Sequence, residues 1–350
     1  MFAGECIFAR TCLYSSFMNL PHHTIDSFLK VLQQVDAKRV SDHPYCIEYF
    51  NQIRKNGKYF LTIYHRVLDT VIKRCNRPTD QIRLIDYGCG NGVLGLYARF
   101  CGFQQVWLAD HDAEFAAAAK RLSELLDLSV EVKRANIEQL HPERADALVA
   151  TDVIEHMYRL PDFFQSLQKI NPEMVTVFTT ASNPENPWVV KKIKSLQWKD
   201  EHEGNTGRGL SGDAHPPYRS MRAAFIKQYI NHPEDIEALV YATRGLIHED
   251  ILKAIHDFLQ DKTLSTPAPE SNTCHPETGS WTERIYTPHE LQAAFAAGGF
   301  NCNIVPGFYN EFGNGAKSVL KKCLNRLIPI FGKKIAPWIM ITGFKHDSKS

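Results

Sequence analysis

The chain is predicted to fold as a doubly wound α/β domain with extra helices at its N-terminus and in its middle. Three features point there. Between Arg83 and Asn183, short apolar runs alternate with helix-period segments, the pattern of right-handed βαβ units around a parallel sheet. The first run ends in Asp86-Tyr87-Gly88-Cys89-Gly90-Asn91-Gly92, a glycine cluster at a strand's carboxyl end, where such sheets bind ligands. A length of 350 residues, 44% apolar and 23% charged, can bury a sizeable core in one enlarged domain or two.

Residues 25–35 and 59–75 carry apolar side chains at three- and four-residue spacing and are predicted helices. Asp42-His43-Pro44 is expected to break the chain between them, and Arg77-Pro78 to end the second. Strands are predicted at 83–85, 105–109, 130–134, 147–150 and 175–179, separated by helices at 92–101, 113–126 and 159–170. After Asn183 the alternation stops. Amphipathic helices are expected at 188–197, 220–230, 234–243 and 249–259, then a Pro/Ser/Thr-rich stretch at 263–282. A helix at 288–297, a strand at 301–305, a helix at 316–327 ended by Pro329 and Gly332, and a strand at 338–344 complete the chain. It divides into an N-terminal helical cover (1–80), a ligand-binding α/β core (81–183), a helical insert (184–285) and a completion of the core (286–350). The insert leaves from a carboxyl-end loop, so a lid or substrate-recognition role is expected.

Charge and cysteine content narrow the class. Forty Lys+Arg against 39 Asp+Glu give a net charge of +1, which argues against an overall basic nucleic-acid binder and against a disordered acidic chain. The nine cysteines are scattered, with no Cys-x-x-Cys pair. That disfavours a disulfide framework or a Cys-rich zinc site and favours a reducing compartment. Glu5 and Arg10 interrupt the apolar N-terminus, so no secretory pattern is read. No stretch approaches the roughly 18 apolar residues of a membrane span. A cytoplasmic protein is expected.

The glycine cluster admits two ligands. Gly90, Gly92 and Gly95 satisfy Gly-x-Gly-x-x-Gly, and Asp110 follows at the spacing of a ribose-binding acid, as in a dinucleotide site. Charge separates the readings. A pyrophosphate relies on backbone N–H groups and a helix dipole, and Asp86 at the mouth of the turn would repel it. An acid there suits a positive group, such as the α-ammonium of a methionine moiety.

On these residues the sequence resembles the class I S-adenosylmethionine (SAM)-dependent methyltransferases. The resemblance covers about 83–183 and 288–345, and excludes the N-terminal helices and the insert. It implies a Rossmann-like doubly wound seven-stranded sheet ending in an antiparallel hairpin. It also implies SAM as cofactor, lying on Asp86, Gly88, Cys89, Gly90, Asn91 and Gly92. Asp110 would take the ribose hydroxyls, and His111 would flank the adenine. Asn136, followed by Ile137, would read the adenine amino group, where the family more often has Asp. Asp152 and Val153, after the fourth strand, would complete the cofactor contacts.

Methyl transfer from a sulfonium is an in-line displacement that depends chiefly on holding the nucleophile against the methyl. An oxygen or nitrogen nucleophile also gives up a proton. Asp152-Val153-Ile154-Glu155-His156 lies in the loop expected at the methyl end, so His156 with Glu155 forms the candidate catalytic pair, His156 as base. Two other readings stand beside it. Glu155 and His156 can simply stabilise the loop or cap the next helix. Alternatively, Asp152, Glu155 and His156 resemble the Glu-x-x-Glu-His run of the small-RNA 3′-terminal 2′-O-methyltransferases and of some ubiquinone-pathway O-methyltransferases, where carboxylates and imidazole hold a divalent ion. His202 or His215 would then be the further ligand. A divalent metal is not favoured, and no metal ligand is assigned.

His43, Tyr45, Asn183, His215 and Tyr218 are candidate substrate contacts, and Trp281-Thr282-Glu283-Arg284 can line the same pocket or anchor the insert. The expected acceptor is a hydroxyl, less readily an amine, of a small molecule, sugar or lipid-linked intermediate. A large insert favours an enclosed pocket, and no aromatic-rich basic groove suggests RNA. The alternatives are a metal-assisted RNA 2′-O-methyltransferase and a SAM-binding protein without turnover.

The net charge conceals an asymmetry. Residues 313–350 carry eight Lys+Arg and one acid, +7, which leaves −6 on the rest. Val319, Leu320, Cys323, Leu324, Leu327 and Ile328 share a helical face, with Lys321, Lys322 and Arg326 off it. Such a basic helix can make peripheral contact with a membrane or meet a phosphate-bearing substrate. The commoner arrangement, expected here, packs the apolar face on its own domain.

Overall fold

A computed structural model describes residues 19–140, 145–207, 214–264 and 271–345. The N-terminal stretch with Glu5 and Arg10, and the C-terminal Asp347 and Lys349, lie outside the described residues. Four helices come first: α1 (His23–Gln33), α2 (Ala37–Val40), α3 (Pro44–Lys55) and α4 (Gly57–Cys75). The chain does break at 41–43, but Pro44 opens a further helix, α3, that was not expected. Pro44 sits in the first turn, where its missing N–H would have had no helical partner and its fixed φ suits the helix.

The core alternates as the sequence pattern requires: β1 (Arg83–Tyr87), α5 (Val93–Phe100), β2 (Gln105–Asp110), α6 (Ala113–Leu125), β3 (Glu131–Arg134), β4 (Ala147–Thr151), α7 (Leu160–Ile170) and β5 (Val175–Thr180). Four insert helices follow, α8 (Pro187–His202), α9 (Tyr218–Ile226), α10 (Pro233–Ala242) and α11 (His248–Asp261). The chain then returns through α12 (Pro288–Ala297), β6 (Asn301–Pro306), α13 (Ala316–Phe331) and β7 (Ile339–Phe344).

The seven strands lie in the order β3-β2-β1-β4-β5-β7-β6. The first five are parallel, and β7 runs antiparallel to both β5 and β6. Leu84, Leu108, Val149 and Val177 face the N-terminal helices, while Ile85, Ala109, Leu148 and Phe178 face α7 and α12. This two-sided burial is why the strands read as near-continuous apolar runs. The strand order reverses between β1 and β4, which opens a crevice at their carboxyl ends.

The insert has its own apolar cluster, formed by Ile226, Leu239, Val240, Ile251, Ile255 and Phe258. Arg222, fully buried, makes paired hydrogen bonds to Glu201 and also reaches the Val240 carbonyl. Thr273 donates to the same carboxylate at 2.7 Å. Truncating Arg222 strands a buried charge, so Arg222→Ala is expected to cost about 3–5 kcal/mol of stability. Urea unfolding measures it, and a loss below about 1 kcal/mol would show that the pair does not hold the insert.

Helix α13 departs from expectation twice. Pro329 lies inside it. The ring forfeits one hydrogen bond close to the helix end, and the stop comes at Gly332, with φ +60°. The second departure is its orientation. The predicted apolar face is split: Leu324 and Ile328 turn inward, whereas Val319, Leu320 and Leu327, with Ile330 and Phe331 beyond them, are exposed. The helix instead meets the body through Ser318, Asn325 and Ile328.

Candidate active site

The first wall of the crevice is the turn after β1. Gly88, Gly90 and Gly92 have φ of +65°, +53° and +78°, a left-handed run that side-chain-bearing residues resist. Space is as restrictive as angle. A Cβ on Gly88 would lie 2.5 Å from Val153 Cγ2, and one on Gly95 would lie 2.1 Å from Leu108 Cδ2.

Two acids stiffen the turn. Asp86 Oδ2 accepts from the Gly95 N–H at 2.8 Å, and Asp110 Oδ2 accepts from the Gly90 N–H at 2.9 Å. Burial pushes the Asp86 carboxyl up to about 7 and also raises that of Asp110. Two sequestered acids beside a glycine cradle are uncompensated negative potential, and they fit a bulky ligand carrying positive charge. Asn91 adds a polar contact point. Its amide donates to the Cys46 carbonyl, while its buried Oδ1 has no partner among the described residues.

The second wall is the loop after β4. Asp152 adopts φ +54°, and its N–H donates to the Thr179 carbonyl at 2.9 Å. Its side chain is open to solvent yet surrounded by protein, and this setting, with Glu283 nearby, pushes its carboxyl up to about 6. Glu283 also has a left-handed backbone, φ +48°. Two strained non-glycine residues within electrostatic reach of one another are the kind of feature that gathers at functional sites.

His156 lies beside them. Its Nδ1 is 2.9 Å from the Trp281 carbonyl oxygen, which can only accept. Nδ1 therefore carries the proton, and Nε2 of the neutral ring keeps a lone pair. Glu155 differs from the expectation of a catalytic partner. It is 1% exposed, accepts from Thr180 Oγ1 at 2.6 Å, and burial holds its carboxyl well above the usual range. Its backbone carbonyl receives the Arg284 N–H at 3.0 Å. It positions the loop and does not face the opening.

The N-terminal cover contributes residues that were not expected. Tyr49 on α3 lies over the glycine turn, 3.1 Å from where a Gly90 Cβ would be, and burial followed by Asp152 raises its phenol. Tyr45 and Tyr49 both pack edge-on against Phe115. Reading Pro44 as a break hid Tyr49, whose helical spacing from the expected contact Tyr45 was the available signal. Glu283 lies in the Trp281–Arg284 motif, but its approach to Asp152 is tertiary.

Other candidates lie elsewhere. His43 is exposed before α3. Asn136 uses its side chain in a capping box with Gln139, and Ile137 is buried beneath it. His111 is largely exposed, with Nδ1 3.6 Å from Asp110, and Cys89 is partly buried in the turn. Asn183 is fully buried and spends its amide on the Lys333 and Ala336 carbonyls, which corrects its assignment as a substrate contact. His215 stacks on Tyr218 at 4.4 Å and lies 4.0 Å from Asp200. Both serve the insert's inner edge, since Thr282 Oγ1 also donates to Asp200.

Neither His202 nor His215 contacts the Asp152–His156 loop. Among the described residues, no group of three or more His, Cys, Asp or Glu side chains is arranged to hold a metal ion. The alternative donor set, Asp152, Glu155 and His156 with His202 or His215, is therefore not brought together among the described residues.

Residues 58–223 match the family model for a methyltransferase domain. Over 90 residues the chain is 36% identical to the ribosomal protein L11 methyltransferase of Acinetobacter baumannii, covering 25% of this chain and 30% of that protein. Over 115 residues it is 29% identical to the human mitochondrial ubiquinone biosynthesis O-methyltransferase, covering 31% and 30%. A crystal structure of an S-adenosylmethionine-dependent methyltransferase from Mesorhizobium loti aligns with 78% of this chain and 95% of its own, at 14% identity and a TM-score of 0.38. The chain spans about 30% of the length of the curated relatives it matches.

Proposed function

We propose that this chain, whose residues 58–223 match the family model for a methyltransferase domain, is a cytoplasmic enzyme of the class I SAM-dependent superfamily that methylates a hydroxyl. An amine is the less favoured acceptor atom. The acceptor molecule is a small molecule, a sugar or a lipid-linked intermediate. The observation that carries this reading is the 2.9 Å contact between His156 Nδ1 and the Trp281 carbonyl oxygen, which implies a proton on Nδ1 and leaves Nε2 as the basic nitrogen.

When bound, SAM supplies a methyl group activated by its sulfonium. Asp86, the Gly88–Gly92 turn and Asp110 would hold it, with Asn91 and Asp152 alongside. The residues of this chain then have separable tasks. The lone pair of His156 Nε2 takes the acceptor's proton. Trp281 holds the ring, and Glu155 with Thr180 holds the loop. Tyr49 and Asp152 line the approach and limit water there.

Titrating the protein with SAM and with S-adenosylhomocysteine by calorimetry tests the premise, and failure of both to bind removes it. The two raised acids add a signed expectation. Asp86 at about 7 and Asp152 at about 6 are partly protonated at pH 6, and a cationic ligand favours their ionised forms. Binding should therefore release protons, and affinity should rise with pH, by at most about tenfold per unit per proton released, flattening above about 8. Calorimetry in buffers of different ionisation heat reads the release directly. Proton uptake would contradict it. A screen of metabolite extracts with labelled SAM then identifies the acceptor.

A further inference from the structure

We infer that α13 is a docking surface for an anionic lipid bilayer. The helix lies in the connection from β6 to β7. That connection opens at the carboxyl end of β5, where Thr180 pairs with Ile339 and Pro306 pairs with the same residue. Asp152 and the Thr180–Asn183 turn belong to this edge of the sheet, so α13 stands at the rim of the candidate site.

Its orientation is the reverse of a packed amphipathic helix. Polar groups hold it down. Asn325 Oδ1 accepts from the Tyr309 N–H at 2.7 Å, its amide donates to Glu311 at 2.8 Å, and Ser318 Oγ donates to the Glu311 carbonyl. The apolar residues point away. Val319 is 60% exposed, Leu320 61%, Leu327 40%, Ile330 74% and Phe331 52%. At roughly 100° per residue they share one arc with Cys323, which is also exposed.

Cations border that arc. Lys317, Lys322 and Arg326 flank it, Lys321 and Lys334 lie nearby, and α13 contains no acid. Among the described residues none of these five cations forms an ion pair. An apolar stripe edged with unpaired positive charge complements the headgroup and acyl boundary of an anionic leaflet. Lying on the surface is the available mode, because no helix of the described residues is long and apolar enough to cross a membrane.

The junction with α8 adds an interfacial residue. Asn183 and Asn186 clip the start of α8 to the Lys333 and Ala336 carbonyls, and Trp188, two residues on, is 67% exposed. Tryptophan favours the membrane–water boundary. The docking itself stands on α13. Its bearing on substrate, that the acceptor is drawn from the lipid phase, rests on the function proposed above.

The test uses the full chain and extruded vesicles of phosphatidylcholine alone or with one quarter phosphatidylglycerol. The wild-type protein is expected to co-sediment with the anionic vesicles and not with the neutral ones, with binding weakened by salt. Leu320→Glu with Ile330→Glu should lower partitioning at least about tenfold, and Lys322→Gln or Arg326→Gln about fivefold each. SAM affinity, measured in parallel, stays unchanged and reports folding. A polarity-sensitive label on Cys323 should shift to the blue with anionic vesicles, and inorganic phosphate should displace the protein no more than chloride at the same ionic strength. Three results overturn the inference: no binding of the wild type, equal binding of the Leu320/Ile330 variant, or self-association in solution that this variant abolishes, which would assign the face to a second copy. Vesicle binding without turnover would leave the docking intact and remove only the lipid-phase acceptor.

Discussion

Replacing His156 with alanine lowers kcat by about 10²–10⁴-fold and leaves SAM affinity close to that of the wild type. The expectation follows from geometry. The ring touches the protein through Nδ1, at the Trp281 carbonyl, and the cofactor cradle lies on other strands, around Asp86 and Asp110. Removing the ring should therefore cost proton transfer and not binding. Added imidazole should restore part of the rate in the alanine variant, which a purely structural histidine would not allow. The measurement uses the acceptor recovered from the labelled-SAM screen. A loss under about fivefold in kcat, or equal losses in SAM binding and folding, would remove His156 as the base.

The second large effect has opposite signs in stability and in binding. Asp86→Asn keeps an oxygen for the Gly95 N–H, so the turn retains its shape. In the ligand-free protein the Asp86 carboxyl stands at about 7 against an ordinary 3.8, because burial penalises its charge. A carboxyl raised in the folded state contributes stability that is present below about pH 4 and lost as the pH climbs through about 7. The asparagine variant escapes that loss. At pH 8 the ligand-free variant should be more stable than the wild type by on the order of 2–4 kcal/mol, and at pH 4 the two should be nearly equal. SAM affinity should fall about 10–100-fold, the value of a charge-assisted contact. Thermal unfolding at the two pH values and calorimetry check both halves. A variant less stable at pH 8, or one that binds SAM as tightly as the wild type, contradicts the role given to this acid.

The sheet was legible because its signals are local. Leu84, Ile85, Leu108, Val149 and Val177 all lie in short apolar runs, and buried parallel strands need no more than that. The glycine turn was legible for a similar reason. Three alternating glycines at the end of an apolar run mark a left-handed turn by themselves, although the side chains that crowd it, such as Val153 and Leu108, come from elsewhere in the chain. The errors came where one residue type has opposite meanings by position. Pro44 opens a helix and Pro329 sits inside one, yet the first was read as part of a break and the second as an end. The periodicity of α13 established an apolar face but not what that face meets. Its outward direction depends on Asn325 and Ser318 finding partners in the Tyr309–Glu311 segment, which no helical wheel contains. Asn183 shows the same limit. A polar residue at a strand's carboxyl end suggested substrate, and the Lys333 and Ala336 carbonyls, about 150 positions later in the chain, had already claimed it.

The hydrogen bond from His156 to the Trp281 carbonyl constrains how this protein could change its substrate range. The insert is where sequence drift or grafting would be expected to act, since the sheet can fold beneath many different inserts. Yet the histidine sits after β4, and the oxygen that sets its protonation pattern arrives with the returning arm of the insert. A transplanted lid that shaped a new pocket perfectly but brought no carbonyl to that point would leave the imidazole free to turn over and lose its lone pair to the wrong side. Selectivity and proton transfer are thus inherited together. A directed-evolution library should leave residues 281–284 untouched and vary α9 to α11 instead.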